Sequence, residues 1–317
     1  MNLGGPDRPA AVKPFLYNLF SDPAIIGLPT LLRLPLARLI AQRRAATACA
    51  IYEHLGGGSP LLANTEAQAS ALSAVLGADH VCYVAMRYWH PFTGAAVSAV
   101  SARRPTEIVL LPLYPQFSTT TTGSSLVAWQ REAVRQKLAL PTRTIRHYPT
   151  LAGFVDGMAR LTVVALNRAA ADGHRVRVLF SAHGLPLKIV RAGDPYPAEI
   201  ATTASAVVAA LHRPGLDWCV CYQSRVGPLA WLGPSIDAEL QRAAADRVAV
   251  VVVPVSFVSE HSETLVELDR DYRERATALG VPGYYRVPTI GTDPGFIAGL
   301  AGLVRGEGTA DSPGTQR

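Results

Sequence analysis

Three groups of residues in this sequence could do chemistry. His183 lies in Ser181-Ala182-His183-Gly184-Leu185-Pro186, just past the apolar run Val176–Phe180. A neutral imidazole at such a place serves as a general base or a metal ligand near neutral pH, or is simply satisfied by its own loop. Glu263, Glu267 and Asp271 are spaced i, i+4, i+8. On a helix they share one face and repel one another, so either Arg270, Arg273 and Arg275 neutralise a solvated face or the acids attract protons or hard divalent cations. With Glu263 in a cleft and Asp271 in water, such a line conducts either species. His261 stands two residues before it at the helix start. The third group, Thr119–Thr122 with Gly123-Ser124-Ser125, precedes a helical pattern and offers hydroxyls and free N–H groups to an anion. It has no Gly-Lys-Ser/Thr, and Gly4-Gly5 is not part of a GxGxxG, so nucleotide binding gains little support.

Short runs rich in Val, Ile and Leu, bounded by turn residues, place these groups. Val81–Ala85, Glu107–Leu111, Val176–Phe180, Trp218–Tyr222 and Val248–Val253 read as strands. Thr65–Leu76, with a Thr65/Gln68 capping box, and Gly123–Leu138, Leu151–Ala171, Pro197–Leu211, Ile236–Ala244 and Ser262–Leu279 read as helices. Strands alternating with helices of this length build parallel βαβ units, and a run such as Val248–Val253 suits a sheet covered on both faces. Ligands of open parallel sheets sit beyond the carboxyl ends of the strands, where His183, Gln223 and Ser256 all fall. The two halves echo each other. Val81-Cys82-Tyr83 with Arg87 and Pro91 matches Val220-Cys221-Tyr222 with Arg225 and Pro228, and Val109–Tyr114 matches Val251–Ser256, at offsets of 139 and 142 residues. A duplicated α/β domain follows, with domains at 1–149 and 150–303 and a flexible tail at 304–317. Asn2-Leu3-Gly4-Gly5-Pro6 reads as the end of a strand of which almost nothing else is present. Leu28–Ile40 is an amphipathic, leucine-rich stretch carrying Arg33 and Arg38 and broken by Pro35.

Composition narrows the class. The chain has 317 residues, 49% hydrophobic and 17% charged, which describes a globular protein with a large core. Its net charge of +6 suits an acidic partner, but the basic residues are scattered and not interleaved with stacking aromatics, so nucleic acid is not expected. Cys49, Cys82, Cys219 and Cys221 form no CxxC pair and read as buried thiols in a reducing compartment. No signal peptide and no run of 18 apolar residues is present, so a cytoplasmic location is expected.

Longer motifs then become readable. Leu179–Pro186 followed by Gly193-Asp194-Pro195-Tyr196, Tyr222–Pro228 with Trp231-Leu232-Gly233-Pro234, and Phe257–Leu265 resemble the signature of the ferrochelatase family. So do Asn2–Pro6, Arg87–Pro91, Tyr114–Ser118 and Thr122–Ser125; the likeness runs from residue 2 to about residue 296. The resemblance implies two Rossmann-like domains, each a parallel sheet flanked by helices, with a porphyrin cleft between them. It implies insertion of Fe²⁺ into protoporphyrin IX or coproporphyrin III to form haem, with release of two protons. It implies His183 and Glu263 as the catalytic and metal-contacting pair, and His261, Glu267 and Asp271 as a proton or metal relay. Arg87, Tyr88, Tyr114, Ser125 and Trp231 match positions that line or steady the macrocycle or its propionates. Residues 28–40 match an apolar lip that meets a membrane surface or the porphyrin, which suggests peripheral contact with the inner face of a membrane. No organic cofactor is implied. Some members hold a [2Fe–2S] cluster partly through C-terminal cysteines; no cysteine follows Cys221, so that cluster is not expected. Which of His183 and Glu263 takes the pyrrole protons stays open at this stage. A cobalt or nickel chelatase, a tetrapyrrole carrier and a glycosyl or nucleotidyl transferase are the rival readings.

Overall fold

A computed structural model of the chain describes residues 1–225, 227 and 229–307. Val226, Pro228 and most of the tail expected at 304–317 lie outside the described residues. The chain divides into two compact units, Met1–Tyr148 with the residues from Leu300 onward, and Pro149–Gly299. The last part of the final helix therefore groups with the first unit and not, as expected, with residues 150–303.

The first unit runs α1 (Pro9–Phe20), α2 (Thr30–Glu53), α3 (Leu61–Leu76), α4 (Thr93–Arg103), β1 (Ile108–Leu110), a π-helical turn at Thr119–Gly123, α5 (Ser124–Arg135) and β2 (Thr142–Thr144). β1 and β2 pair in parallel, Ile108 opposite Thr142. α1 and α2 pack on each other over Ala11, Val12, Phe15, Ala41 and Tyr52. Three sequence expectations change here. Val81–Ala85 forms no strand. Ladder-like bonds come at its end, where Asn2 N–H reaches the Ala85 carbonyl and Arg87 N–H the Asn2 carbonyl. A strand needs a partner along its length; here a groove of about 480 Å³ lies between Val81–Ala85 and β1 instead, lined by Leu72, Leu76, Val100 and Trp129 among others. The Thr65/Gln68 capping box is absent because α3 begins four residues earlier; the Thr65 hydroxyl donates back to the Leu61 carbonyl and accepts from Asn2 Nδ2. Pro35 does not break α2, which runs through it. The carbonyl that Pro35 leaves unpaired belongs to Leu31, whose side chain is 88% exposed, so water can serve it.

The second unit runs α6 (Ala152–Ala171), β3 (Val176–His183), α7 (Leu187–Arg191), α8 (Tyr196–Ala210), β4 (Asp217–Gln223), α9 (Ile236–Ala245), β5 (Ala249–Pro254), a π-helix at Glu263–Asp271, α10 (Tyr272–Ala278), β6 (Tyr284–Arg286) and α11 (Pro294–Arg305), whose last residues belong to the first unit. The strands form one parallel sheet in the order β4-β3-β5-β6. Every residue of β5 is buried. Leu179, Cys221, Val250 and Val252 face one way, against Ile236 and Leu240 of α9 and against Leu268 and Ala276. Their neighbours alternate to the other face, where α6 and α8 pack. Burying each Val or Leu is worth about 1.5–3 kcal/mol. The expected single helix at Ser262–Leu279 is a π-helix followed by an α-helix, and the one expected at Gly123–Leu138 likewise opens with a π turn.

Candidate active site

The second unit brings His183, His261, Glu263 and Glu267 together. β3 ends at His183, and parallel pairing sets it opposite Gln223 at the end of β4. The turn beyond it is tight. A Cβ on Gly184 would lie 2.8 Å from the Gln223 carbonyl oxygen, which accepts the Gly184 N–H at the same distance, and 3.3 Å from the Trp231 ring. Only glycine fits there, and its own carbonyl lies 2.6 Å from His183 Nδ1. A carbonyl oxygen can only accept, so Nδ1 carries the proton and Nε2 is the atom turned towards Glu263, 3.9 Å from Oε2. The same argument holds for His261. Its Nδ1 donates to the Ser259 carbonyl at 3.0 Å, and its Nε2 stands 3.9 Å from the same Oε2. Glu263 thus faces two imidazole Nε2 atoms, both beyond hydrogen-bond distance, and its buried Oε2 makes no hydrogen bond among the described residues.

The charges follow from this geometry. Burial alone would raise the Glu263 pKa, but the His183 and His261 imidazoles more than offset it and hold the carboxyl at about 2. Burial would lower His261, yet the Glu263 charge and the Ser259 carbonyl raise it above its ordinary value. Glu267 is pushed upward, first by burial and then by the negative charge of Glu263. Its Oε1 accepts the Ser224 N–H at 2.9 Å, and its Oε2 accepts Gln223 Nε2 at 3.1 Å and the Ser224 hydroxyl at 2.5 Å. Ser224 reaches it from a left-handed backbone conformation, φ 61°. Gln223 also takes the Ser181 hydroxyl at 2.8 Å, which ties the ends of β3 and β4 to the acid pair. Asp271 is exposed. The three acids therefore form a gradient of burial from Glu263 to water. Trp231 is half-buried beside Gly184; the Leu232 N–H and the Ala230 carbonyl bond to Leu185 and Leu187 on either side of Pro186.

The first unit gathers the other expected site residues. Arg87 is partly exposed, whereas Tyr88 and Ser125 are buried and Tyr114 is half-buried with its hydroxyl enclosed. Tyr88 and Ser125 therefore support a surface and do not form it. Within the Thr119–Thr122 turn Ser118 caps Thr120 through both the Thr120 N–H and its hydroxyl, whereas the Thr122 hydroxyl is buried and makes no hydrogen bond among the described residues. Sequence reasoning missed Asp22. It is buried and its carboxylate accepts from Arg87 Nη2 at 2.6 Å, Tyr88 Oη at 2.8 Å, the Ala24 N–H at 2.8 Å and the Ser124 hydroxyl. In the sequence Gln223 is legible as a strand-end residue and Ser224 only as part of the Tyr222–Pro228 motif. Among the described residues no three His, Cys, Asp or Glu side chains converge as a metal-binding group.

The family model described as Ferrochelatase matches residues 1–307. The ferrochelatase of Caulobacter vibrioides (strain NA1000 / CB15N) is 52% identical over 319 residues, covering 99% of this chain and 90% of its own. That of Wolbachia sp. subsp. Drosophila simulans (strain wRi) is 48% identical, covering 95% and 96%. Among solved structures, SirB from Bacillus subtilis with Fe³⁺ superposes with a TM-score of 0.55 over 76% of this chain and 87% of its own, at 13% identity, a likeness of fold alone. Motifs, parallel α/β architecture and full-length similarity agree: the chain belongs to the ferrochelatase family.

Proposed function

We propose that this chain inserts Fe²⁺ into a porphyrin dicarboxylate, protoporphyrin IX or coproporphyrin III, with His183 Nε2 as the proton acceptor and Glu263 as the anionic partner of the metal. Two pyrrole N–H bonds break, four N–Fe bonds form, and two protons leave. The observation that carries this division of roles is the pair of Nδ1–H bonds to backbone carbonyls. They leave the lone pair of His183 Nε2 turned to the reacting side, where the 42% exposure of its side chain lets a substrate reach it. Glu263, held at about 2, is a weak base at rest; its charge stabilises both an imidazolium at His183 and an arriving dication. A proton that leaves this pair is held more firmly at Glu267, whose pKa is raised, and passes outward past exposed Asp271. Trp231 supplies a flat apolar face beside His183.

Arg87 meets a substrate carboxylate, with Tyr88, Tyr114 and Ser125 behind it. The enzyme works in the cytoplasm at the inner face of a membrane, supported by Leu28, Leu31, Leu32 and Leu39, which are exposed at the start of α2 and just before it. No helix among the described residues is long and apolar enough to cross a membrane. The test is anaerobic absorbance spectroscopy of the protein with porphyrin, with and without Fe²⁺. Catalytic conversion to the haem spectrum supports the reading. Bound porphyrin that never changes would show a carrier, and turnover only with Co²⁺ or Ni²⁺ would show a different chelatase.

A further inference from the structure

Asp22, between α1 and α2, closes a ring of hydrogen bonds with Arg87 and Ser124. Arg87 Nε donates to Ser124 Oγ at 2.7 Å, the Ser124 hydroxyl donates to Asp22 Oδ2, and Arg87 Nη2 donates to the same oxygen at 2.6 Å. Tyr88 adds a fourth constraint from both ends: its hydroxyl donates to Asp22 Oδ2, and its ring lies 4.8 Å beneath the guanidinium carbon. Asp22 is itself fixed. The Ala24 N–H donates to Oδ1, the Ile25 and Ile26 N–H groups donate to the Asp22 carbonyl, and its side chain is 3% exposed. Burial opposes its ionisation, but the Ser124 hydroxyl, the Arg87 charge and the remaining donors hold the carboxyl below its ordinary range, so the ion pair persists at neutral pH. The guanidinium is thus held in one plane by Nε and Nη2. Among the described residues Nη1 has no partner.

We propose that Asp22 is a positioning residue for the substrate: it locks the Arg87 fork so that the Nη1 edge is presented ready-made to a carboxylate of the porphyrin. A free arginine freezes its rotamers when it binds an anion; one already frozen binds without that cost. Asp22 also neutralises the cation, so its contribution is orientation and not added charge. The proposal rests on the reading that Arg87 meets a substrate carboxylate, and the test separates the two.

Steady-state rates would be measured for the parent, Asp22→Asn, Ser124→Ala and Arg87→Gln with mesoporphyrin IX and with its dimethyl ester, which has the same ring and no free carboxylate. Asp22→Asn should raise KM for the diacid about five-fold or more and leave kcat within about two-fold, with no change in KM for the diester. Ser124→Ala removes one corner of the ring but keeps the ion pair, and should give a smaller rise for the diacid alone. It keeps the test valid where Asp22→Asn folds poorly, as thermal melts would show. Arg87→Gln should abolish the discrimination between diacid and diester. Equal losses on both substrates in Asp22→Asn and Ser124→Ala would overturn the proposal and leave a structural role. A diacid KM unchanged in Asp22→Asn and Ser124→Ala but raised in Arg87→Gln overturns the Asp22 proposal alone. A diacid KM unchanged in Arg87→Gln overturns the Arg87 reading and the proposal with it.

Discussion

The two units each bury a carboxylate, and they treat it in opposite ways. In the first unit Asp22 is saturated: four donors, one of them a guanidinium, converge on it. In the second unit Glu263 faces two imidazoles across 3.9 Å, with Oε2 unpaired among the described residues and a second acid, Glu267, one turn away. A saturated carboxylate has no capacity left and serves as a fixed point. An under-satisfied one keeps affinity for a cation, which makes it costly to fold around and useful in a reaction. On the proposed reading, holding geometry and holding reactivity are separate jobs, given to different units.

The sharpest way to break this contrast is Glu263→Gln, which keeps the size and removes the charge. Turnover should fall by about 10²-fold or more while the fold persists, as seen by single-turnover rates beside circular dichroism. Activity within three-fold of the parent would place the reactive carboxylate elsewhere. Gly184→Ala comes next. Its methyl group would press on the Gln223 carbonyl and the Trp231 ring, displacing the carbonyl that holds His183 Nδ1, and kcat should drop about ten-fold or more. For the fixed carboxylate the readout is stability. Asp22→Ala leaves the Arg87 charge and the Tyr88 hydroxyl without their partner and should cost about 3 kcal/mol in urea unfolding. A loss under 1 kcal/mol would mean the ring is not a fixed point.

A pH series sharpens the comparison from the second unit's side. Glu263 titrates at about 2, below its ordinary value, so the stability it contributes is present above about 4.5 and lost as pH falls towards 2. His261 is raised, so its contribution is present below its ordinary value of about 6.5 and lost as pH rises through its folded value. Thermal melts of the parent should show both slopes, and Glu263→Gln should remove the first and weaken the second, because the Glu263 carboxylate is the group that titrates in one and the main charge that raises His261 in the other. The smallest effect is expected at Asp271→Asn. It is exposed, and water can replace an outer relay, so activity should stay within about two-fold and stability within about 0.5 kcal/mol. A large loss there with none at Glu263 would reverse the direction of the acid gradient.

Much of the second unit was legible because its strands are continuous apolar runs and its polar residues follow them directly. Val176–Phe180, Trp218–Tyr222 and Val248–Val253 lie within or beside β3, β4 and β5, and His183 stands at the expected strand end. Val81–Ala85 has the same composition and forms no strand, since a ladder depends on a partner that local sequence does not reveal. The i, i+4, i+8 spacing of the acids was visible, but not that their helix is wound wide, because π-helical hydrogen bonding is set by packing at Thr264, Val266 and Leu268. Asp22 was invisible for a simpler reason. Its ring partners lie 65, 66 and 102 residues away, and nothing in the Ser21-Asp22-Pro23 turn announces them.

The wide winding of Glu263–Asp271 has a consequence in time as well as in space. A π-helix is rare because its hydrogen bonds are less favourable than those of an α-helix, and nine residues of it persist here only through the neighbours packed around them. Tyr284 donates its hydroxyl to the Leu268 carbonyl and Arg273 its Nε to the Asp269 carbonyl, both near the far end; at the Glu263 end Gln223 Nε2 donates to the Glu263 carbonyl, Ser224 holds the Glu267 carboxylate, and the Thr264 and Leu265 N–H groups reach the His261 carbonyl. The backbone amides of this segment should therefore exchange with solvent deuterium sooner than those of β5. On the proposed reading, the segment that handles protons and metal is then also a part of its unit with a short memory of its own shape.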